Sequence, residues 1–126
     1  MFDHLDPRSP VPLYAQIADR VRLAIAAGTL RDGDALPSVR QLAAELRVNP
    51  ATVVQAYRAL EADGFVVTRH GAGTFVQDVA RDVRARERRG AARRLVRTLL
   101  RDAGRLGLTP DDVRDALDHE LNGGSR

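Results

Sequence analysis

Apolar residues recur at two periods along this chain, and the switch between them lays out its elements. Pro7, Pro10 and Pro12 hold the first dozen residues extended. Leu13, Ile17, Val21 and Ile25 then recur every four residues, with Gln16, Asp19, Arg20 and Arg22 elsewhere on the wheel. This spacing predicts a helix of about fifteen residues that stops at Gly28. Arg31-Asp32-Gly33-Asp34 reads as a turn. Ser38 is a favoured N-cap, and Gln41 three residues later completes a capping box. With Val39, Leu42, Ala43 and Leu46 as its apolar stripe, a second helix is predicted over 38–46. Asn49 as cap and Pro50 at the first helical position open a third helix. It carries Val53, Ala56, Tyr57 and Leu60 and ends at Asp63-Gly64. The short Arg47-Val48-Asn49 link gives the spacing of a helix-turn-helix. The period then falls to that of strands. Phe65-Val66-Val67-Thr68 and Thr74-Phe75-Val76 flank Gly71-Ala72-Gly73, which predicts a β-hairpin. A hairpin directly after a helix-turn-helix is a wing.

The last fifty or so residues return to helical spacing. One helix is predicted from Val79 to Ala103. Its first half, Arg81 to Arg89, is too charged to form a core alone, whereas Ala92, Leu95, Val96, Leu99, Leu100 and Ala103 share one face. Leu106-Gly107-Leu108 interrupts it. Thr109-Pro110-Asp111-Asp112 starts another helix, with acids at the positive end of its dipole. Val113, Ala116, Leu117 and Leu121 form its apolar face, and Asn122-Gly123-Gly124 ends it. The fold class is therefore mainly α with a small β-hairpin: a winged helix-turn-helix domain over 1–77 and a short two-helix tail over 78–126. Two such helices leave one side of each stripe wet. Pairing with a second copy would bury it, with Leu95, Leu99, Leu100, Leu117 and Leu121 as interface candidates. Packing of the tail on its own winged domain is the alternative.

Charge sharpens this division. The 126 residues hold 20 basic and 17 acidic side chains, a net charge of +3, and every basic residue is Arg. Residues 1–77 are neutral in sum, 78–105 carry a net +6 and 106–126 a net −3. A basic connector of this kind can contact phosphates, or serve as a solvated face or a partner for the acidic tail. The absence of Cys excludes disulfides, Cys-based zinc sites and thiol chemistry. With no Trp and 4% aromatic residues, stacking surfaces of the single-strand-binding type are not expected. No apolar run approaches the roughly 18 residues of a membrane helix. Met1-Phe2-Asp3-His4-Leu5-Asp6 lacks the order of a signal peptide, so a cytoplasmic protein without a membrane partner is expected. His4, His70 and His119 are isolated, and there is no catalytic triad, P-loop or dinucleotide motif. We expect no enzyme, no cofactor and no metal. Asp111, Asp112 and Asp115 read as dipole complements and not as a cation site.

Several fixed spacings then converge. Pro12-Leu13-Tyr14 with Gln16-Ile17, Gly28-Thr29-Leu30, Gly33, Leu36-Pro37-Ser38-Val39-Arg40-Gln41-Leu42-Ala43, Asn49-Pro50-Ala51-Thr52-Val53, Ala56-Tyr57, Leu60, Gly64 and Gly71-Ala72-Gly73-Thr74-Phe75-Val76 stand in one order. That order resembles the winged-helix domain of GntR-family bacterial transcription regulators. The short tail, including Leu106-Gly107-Leu108-Thr109 and Val113, resembles the YtrA-like branch, whose tails are too short for the large effector domains of other branches.

The third helix of such a fold enters the major groove with its N-terminal residues nearest the base edges. Asn49, Ala51, Thr52, Gln55 and Arg58 are the exposed candidates there, although Asn49 has a second role as cap. Gln55 can bond adenine bidentately. Ser38, chiefly a cap, and Arg40 lie at a helix N-terminus suited to phosphate, and the resemblance implies that Arg40 contacts DNA. Arg47 in the turn and Arg69 on the wing are phosphate candidates. The resemblance places His70 and Gly71 in the minor groove. Ala72 stands where relatives carry a basic residue, and Pro50 and Ala51 stand where other branches place polar readers. Tyr57 reads as a core residue. The implied function is a sequence-specific regulator on double-stranded DNA: a repressor that binds an inverted repeat as a homodimer, with a transporter operon among the implied targets. A nonspecific architectural DNA-binding protein is the alternative. A small-molecule effector, between subunits or between tail and winged domain, stays open, and the sequence names none.

Overall fold

The structure, a computed structural model, describes Phe2 and residues 5–123. The leader reading of Met1, Asp3 and His4, and the place of Gly124 at the last helix stop, lie outside the described residues. The elements run α1 (Leu13–Ala26), α2 (Val39–Leu46), α3 (Pro50–Ala62), β1 (Val66–Arg69), β2 (Gly73–Val76), α4 (Arg81–Arg105) and α5 (Pro110–Leu121). The chain divides into two compact units, one ending at Arg88 and one beginning at Arg89.

In the first unit the four-residue stripe of α1 does what its spacing predicts. Ile17, Val21 and Ile25 are excluded from solvent, as are Leu42 of α2, Val53 and Leu60 of α3, and nearly so Val66 and Val76 of the hairpin. Burying each such side chain stabilises the fold by about 1.5–3 kcal/mol. In the antiparallel hairpin Val66 faces Val76 and Arg69 faces Gly73. Strand β1 begins one residue later than the sequence suggests, because the Phe65 N–H closes α3 by donating to the Leu60 carbonyl. Residues 33–36, read from sequence only as a turn and its exit, also pair with β2. Leu36 N–H donates to Thr74 O, Val76 N–H to Asp34 O and Gly33 N–H to Val76 O, each at 2.8 Å. This third edge ties the wing to the approach of α2.

Side-chain bonds from Gln16 and Arg88 close the unit. The Gln16 side chain donates to the carbonyls of Asp6 and Val11 and accepts from the Asp6 N–H, which fastens the N-terminal arm to α1. At the other end Val79 and Val83 join the core. Arg88 Nη1 donates to the Ala26 carbonyl at 2.7 Å, a cation at the negative end of α1. Helix α4 starts at Arg81 and not Val79, since Val79 is engaged in the core and the Arg84 N–H reaches back to Ala80 O. It runs past Ala103 to Arg105 because the stop is Gly107, at φ +81°. There Leu108 N–H returns to Ala103 O.

The second unit is the rest of α4 and α5. Thr109 caps α5 through a capping box with Asp112, and Pro110 holds its first position. Its apolar positions are wet: Leu95 is 71% exposed, Leu99 48%, Leu117 49% and Leu121 73%. Ala92, expected with Ala103 on the inner face of α4, is exposed along with most of that stripe. Ala91 and Ala103 are the buried residues of the helix. Ala103 is thus covered and Val113 half-buried, while the leucines of both stripes stay exposed.

Candidate nucleic-acid interface

The helix-turn-helix is built by its caps. Ser38 Oγ accepts from the Gln41 N–H and Gln41 Oε1 accepts from the Ser38 N–H, at 3.1 and 3.0 Å. This fixes the start of α2 and leaves the Ser38 hydroxyl proton available as a donor. Arg40 follows as the second helical residue, exposed. Arg47 ends α2 in the left-handed region at φ 57°, ψ 46°, the one non-glycine at positive φ among the described residues. Asn49 Oδ1 caps α3 through the Ala51 N–H at 2.9 Å. Among the described residues both of its amide protons stay uncommitted. The capping reading of Asn49 is thus realised, with room for a further contact.

On α3 the buried strip of Val53, Ala56, Tyr57 and Leu60 lies opposite Ala51, Gln55 and Arg58, which are exposed at i, i+4 and i+7. Thr52 flanks that strip, half-buried. Tyr57 is a core residue whose hydroxyl donates to the Pro37 carbonyl at 2.8 Å. Burial, and then the Glu45 carboxylate, push its phenol up to about 12. The bond joins α3 to the residue that leads into α2, so it sets the position of the α2 N-terminus.

The wing turns through Arg69-His70-Gly71-Ala72, with the Ala72 N–H on the Arg69 carbonyl and Gly71 at φ +77°. His70 and Gly71 stand exposed at the tip. The Arg69 guanidinium lies 5.2 Å from the Phe75 ring centroid, a cation–π contact that holds it along the hairpin. Arg40, Arg47, Arg58 and Arg69 meet no carboxylate within 4.0 Å among the described residues. Arg22 shows the contrast: it pairs with Asp19 and Asp63 at 2.9 and 2.7 Å and sits over Phe65, a structural arginine.

Two positioning residues escape a reading of the sequence. Glu61 accepts from both the N–H and the hydroxyl of Thr68, which ties the wing to α3. Arg88 ties the start of α4 to α1. Neither carries a local signal; a Glu on a helix and an Arg in a basic run are ordinary solvent-facing residues. In the Asp111, Asp112 and Asp115 group, Asp112 accepts from the Thr109 N–H and Asp111 pairs with Arg114.

The family model described as "Bacterial regulatory proteins, gntR family" matches residues 13–76. The "HTH-type transcriptional repressor YtrA" of Bacillus subtilis (strain 168) is 30% identical over 125 residues, covering 97% of this chain and 96% of that protein. A GntR family transcriptional regulator from Listeria monocytogenes superposes with a TM-score of 0.66 at 28% identity, over 90% of this chain and 96% of its own. The DNA-binding domain of AraR, solved in complex with operator ORX1, matches 56% of this chain and 88% of its own with a TM-score of 0.52 and 27% identity. No helix among the described residues is long and apolar enough to cross a membrane. The chain belongs to the GntR family of bacterial DNA-binding transcriptional regulators, with YtrA-like proteins among its relatives.

Proposed function

We propose that this regulator is a repressor that occupies an inverted-repeat operator as a homodimer in the cytoplasm, with residues 1–77 reading DNA and 78–126 pairing the subunits. The observation that carries the reading is the exposed strip Ala51, Gln55 and Arg58 on α3, together with Arg40, Arg47 and Arg69, which among the described residues meet no carboxylate. Gln55, Arg58 and Thr52 would meet base edges, with Asn49 adding an amide donor. Arg40 at the α2 N-terminus would take a phosphate, with Ser38 beside it. Arg47 and Arg69 would take others, and His70 and Gly71 would enter the minor groove, which reads A·T against G·C and width. The repressor role follows the printed name of the Bacillus relative, and operator binding that of the AraR complex. A transporter operon as target follows the family resemblance alone. Family membership likewise supports a regulator and not an enzyme.

Selection of bound DNA from a random pool tests this reading. It is expected to return two inverted half-sites at one fixed spacing. Arg40→Ala is expected to weaken binding to all sequences, whereas Gln55→Ala relaxes preference at one base by about 1–3 kcal/mol. Equal recovery of unrelated sequences would establish a nonspecific DNA-binding protein instead.

A further inference from the structure

Helix α4 carries two unlike faces in the second unit. Leu95, Val96, Leu99 and Leu100 lie on one. Arg97 and Arg101, four residues apart, lie on the other with Arg94 beside them, and Arg93 sits at the border between the two; all four are exposed. Among the described residues none of these four arginines meets a carboxylate; Arg101 reaches only Thr98 Oγ1, at 3.3 Å, and the nearby Asp102 faces Arg105. Four positive charges thus stand along about 12 Å of helix at 1.5 Å per residue. Like charges at i, i+4 oppose the helix that bears them. Arg93, seven residues before Leu100, borders the apolar stripe, and covering the leucines with a second copy leaves Arg94, Arg97 and Arg101 in solvent.

We infer that this arginine face is a second DNA-binding surface, which holds the sugar-phosphate backbone of the duplex flanking the operator. Charge complementarity selects the occupant. Double-stranded DNA presents a negative charge for about every 1.7 Å of its axis, and it is the polyanion this family already binds. Once the winged domain holds an operator, the flanking duplex of the same molecule is present at high effective concentration. The acidic tail of another copy is the weaker candidate. Asp111 is paired with Arg114 and Asp112 is committed to the α5 cap, which leaves Asp115, Asp118 and Glu120 against the continuous line of charge on a duplex. The inference rests on operator binding by the winged domain and adds a contact that reads no sequence.

The test is a full-length variant with Arg93, Arg94, Arg97 and Arg101 all changed to Gln, a good helix former. Affinity is measured against salt on two duplexes: the operator trimmed to the base pairs whose substitution costs affinity, and the same operator with long flanks. On the flanked duplex the log K against log salt slope is expected to fall in magnitude by about 2–4, at about 0.9 per phosphate contact. On the trimmed duplex it stays unchanged. Thermal melting at or above the parent value confirms that the helix is intact. Equal slopes for parent and variant on both duplexes would overturn the inference alone. So would a variant that loses self-association in sedimentation while its slopes stay unchanged, since the face would then bind another copy. Failure of the parent to prefer any operator would overturn the winged-domain reading, and this one with it.

Discussion

Arg47 occupies a backbone conformation that costs an L-residue roughly 1–2 kcal/mol and glycine little. It does so at the C-cap of α2, where its N–H returns to Ala43 and Ala44. Its guanidinium, exposed and without a carboxylate, is the counterweight. Arg47→Gly should therefore separate stability from binding. We expect stability in urea to rise by about 0.5–1 kcal/mol, the strain relieved less the added freedom of the unfolded chain. Operator affinity should fall and the salt slope should lose about 1. An unchanged slope would remove Arg47 from the phosphate contacts. Tyr57 offers a pH test at the same scale. Its folded pKa of about 12 stands above the ordinary value near 10, so the folded state holds the phenol proton more tightly. The associated stability is full below pH 10 and is lost as pH rises through 12. Tyr57→Phe should abolish that alkaline loss. At pH 7 it should cost about 0.5–1.5 kcal/mol, because the Pro37 carbonyl loses its donor. Denaturant melts at pH 7 and pH 11 read both effects.

Among the elements, the wing depends most on contacts from outside itself. Two strands of four residues are marginal alone. They persist here because residues 33–36 extend the edge of β2 and Glu61 anchors Thr68. Glu61→Ala should speed amide exchange across β1 and β2 while α1 and the helix-turn-helix keep their protection, at a cost of about 1 kcal/mol. The same elements show what the sequence makes legible. Ser38 with Gln41, Asn49 with Pro50 and Thr109 with Pro110 declare helix starts, because a cap is a bond between residues two or three apart. The hydrophobic stripes declare the inward faces for the same local reason. The 33–36 edge and the Glu61, Arg88 and Gln16 anchors are bonds between different elements, and no periodicity encodes them. The left-handed turn at Arg47 is likewise silent, since a glycine or asparagine there would announce the conformation and an arginine does not. Of the proposed site, the residue types on the turn and wing tip and the caps at Ser38 and Asn49 can be read from the sequence. The Tyr57 and Glu61 bonds that hold the α2 start and the wing in place cannot.

For the whole molecule the deciding feature is apolar surface. A small protein seldom exposes a contiguous apolar patch without an occupant, yet Leu95, Leu99, Leu100, Leu106, Leu117 and Leu121 are all exposed in the second unit. Covering them by the same face of a second copy satisfies both stripes at once, and a two-fold interface of this kind is self-complementary. The proposed pairing would also present two α3 helices to two half-sites, so pairing and operator affinity would be linked. The second half-site would then be bound intramolecularly, raising avidity by about 10²–10⁴ over one winged domain. Leu99→Glu places a carboxylate at the middle of the stripe. It is expected to give a monomer in sedimentation at micromolar concentration and to lower affinity for the full inverted repeat about 100-fold or more. Affinity for an isolated half-site should stay at the parent value, because Leu99 lies outside the unit that ends at Arg88. If mass and affinity both stay at the parent values, the leucines do not pair the subunits.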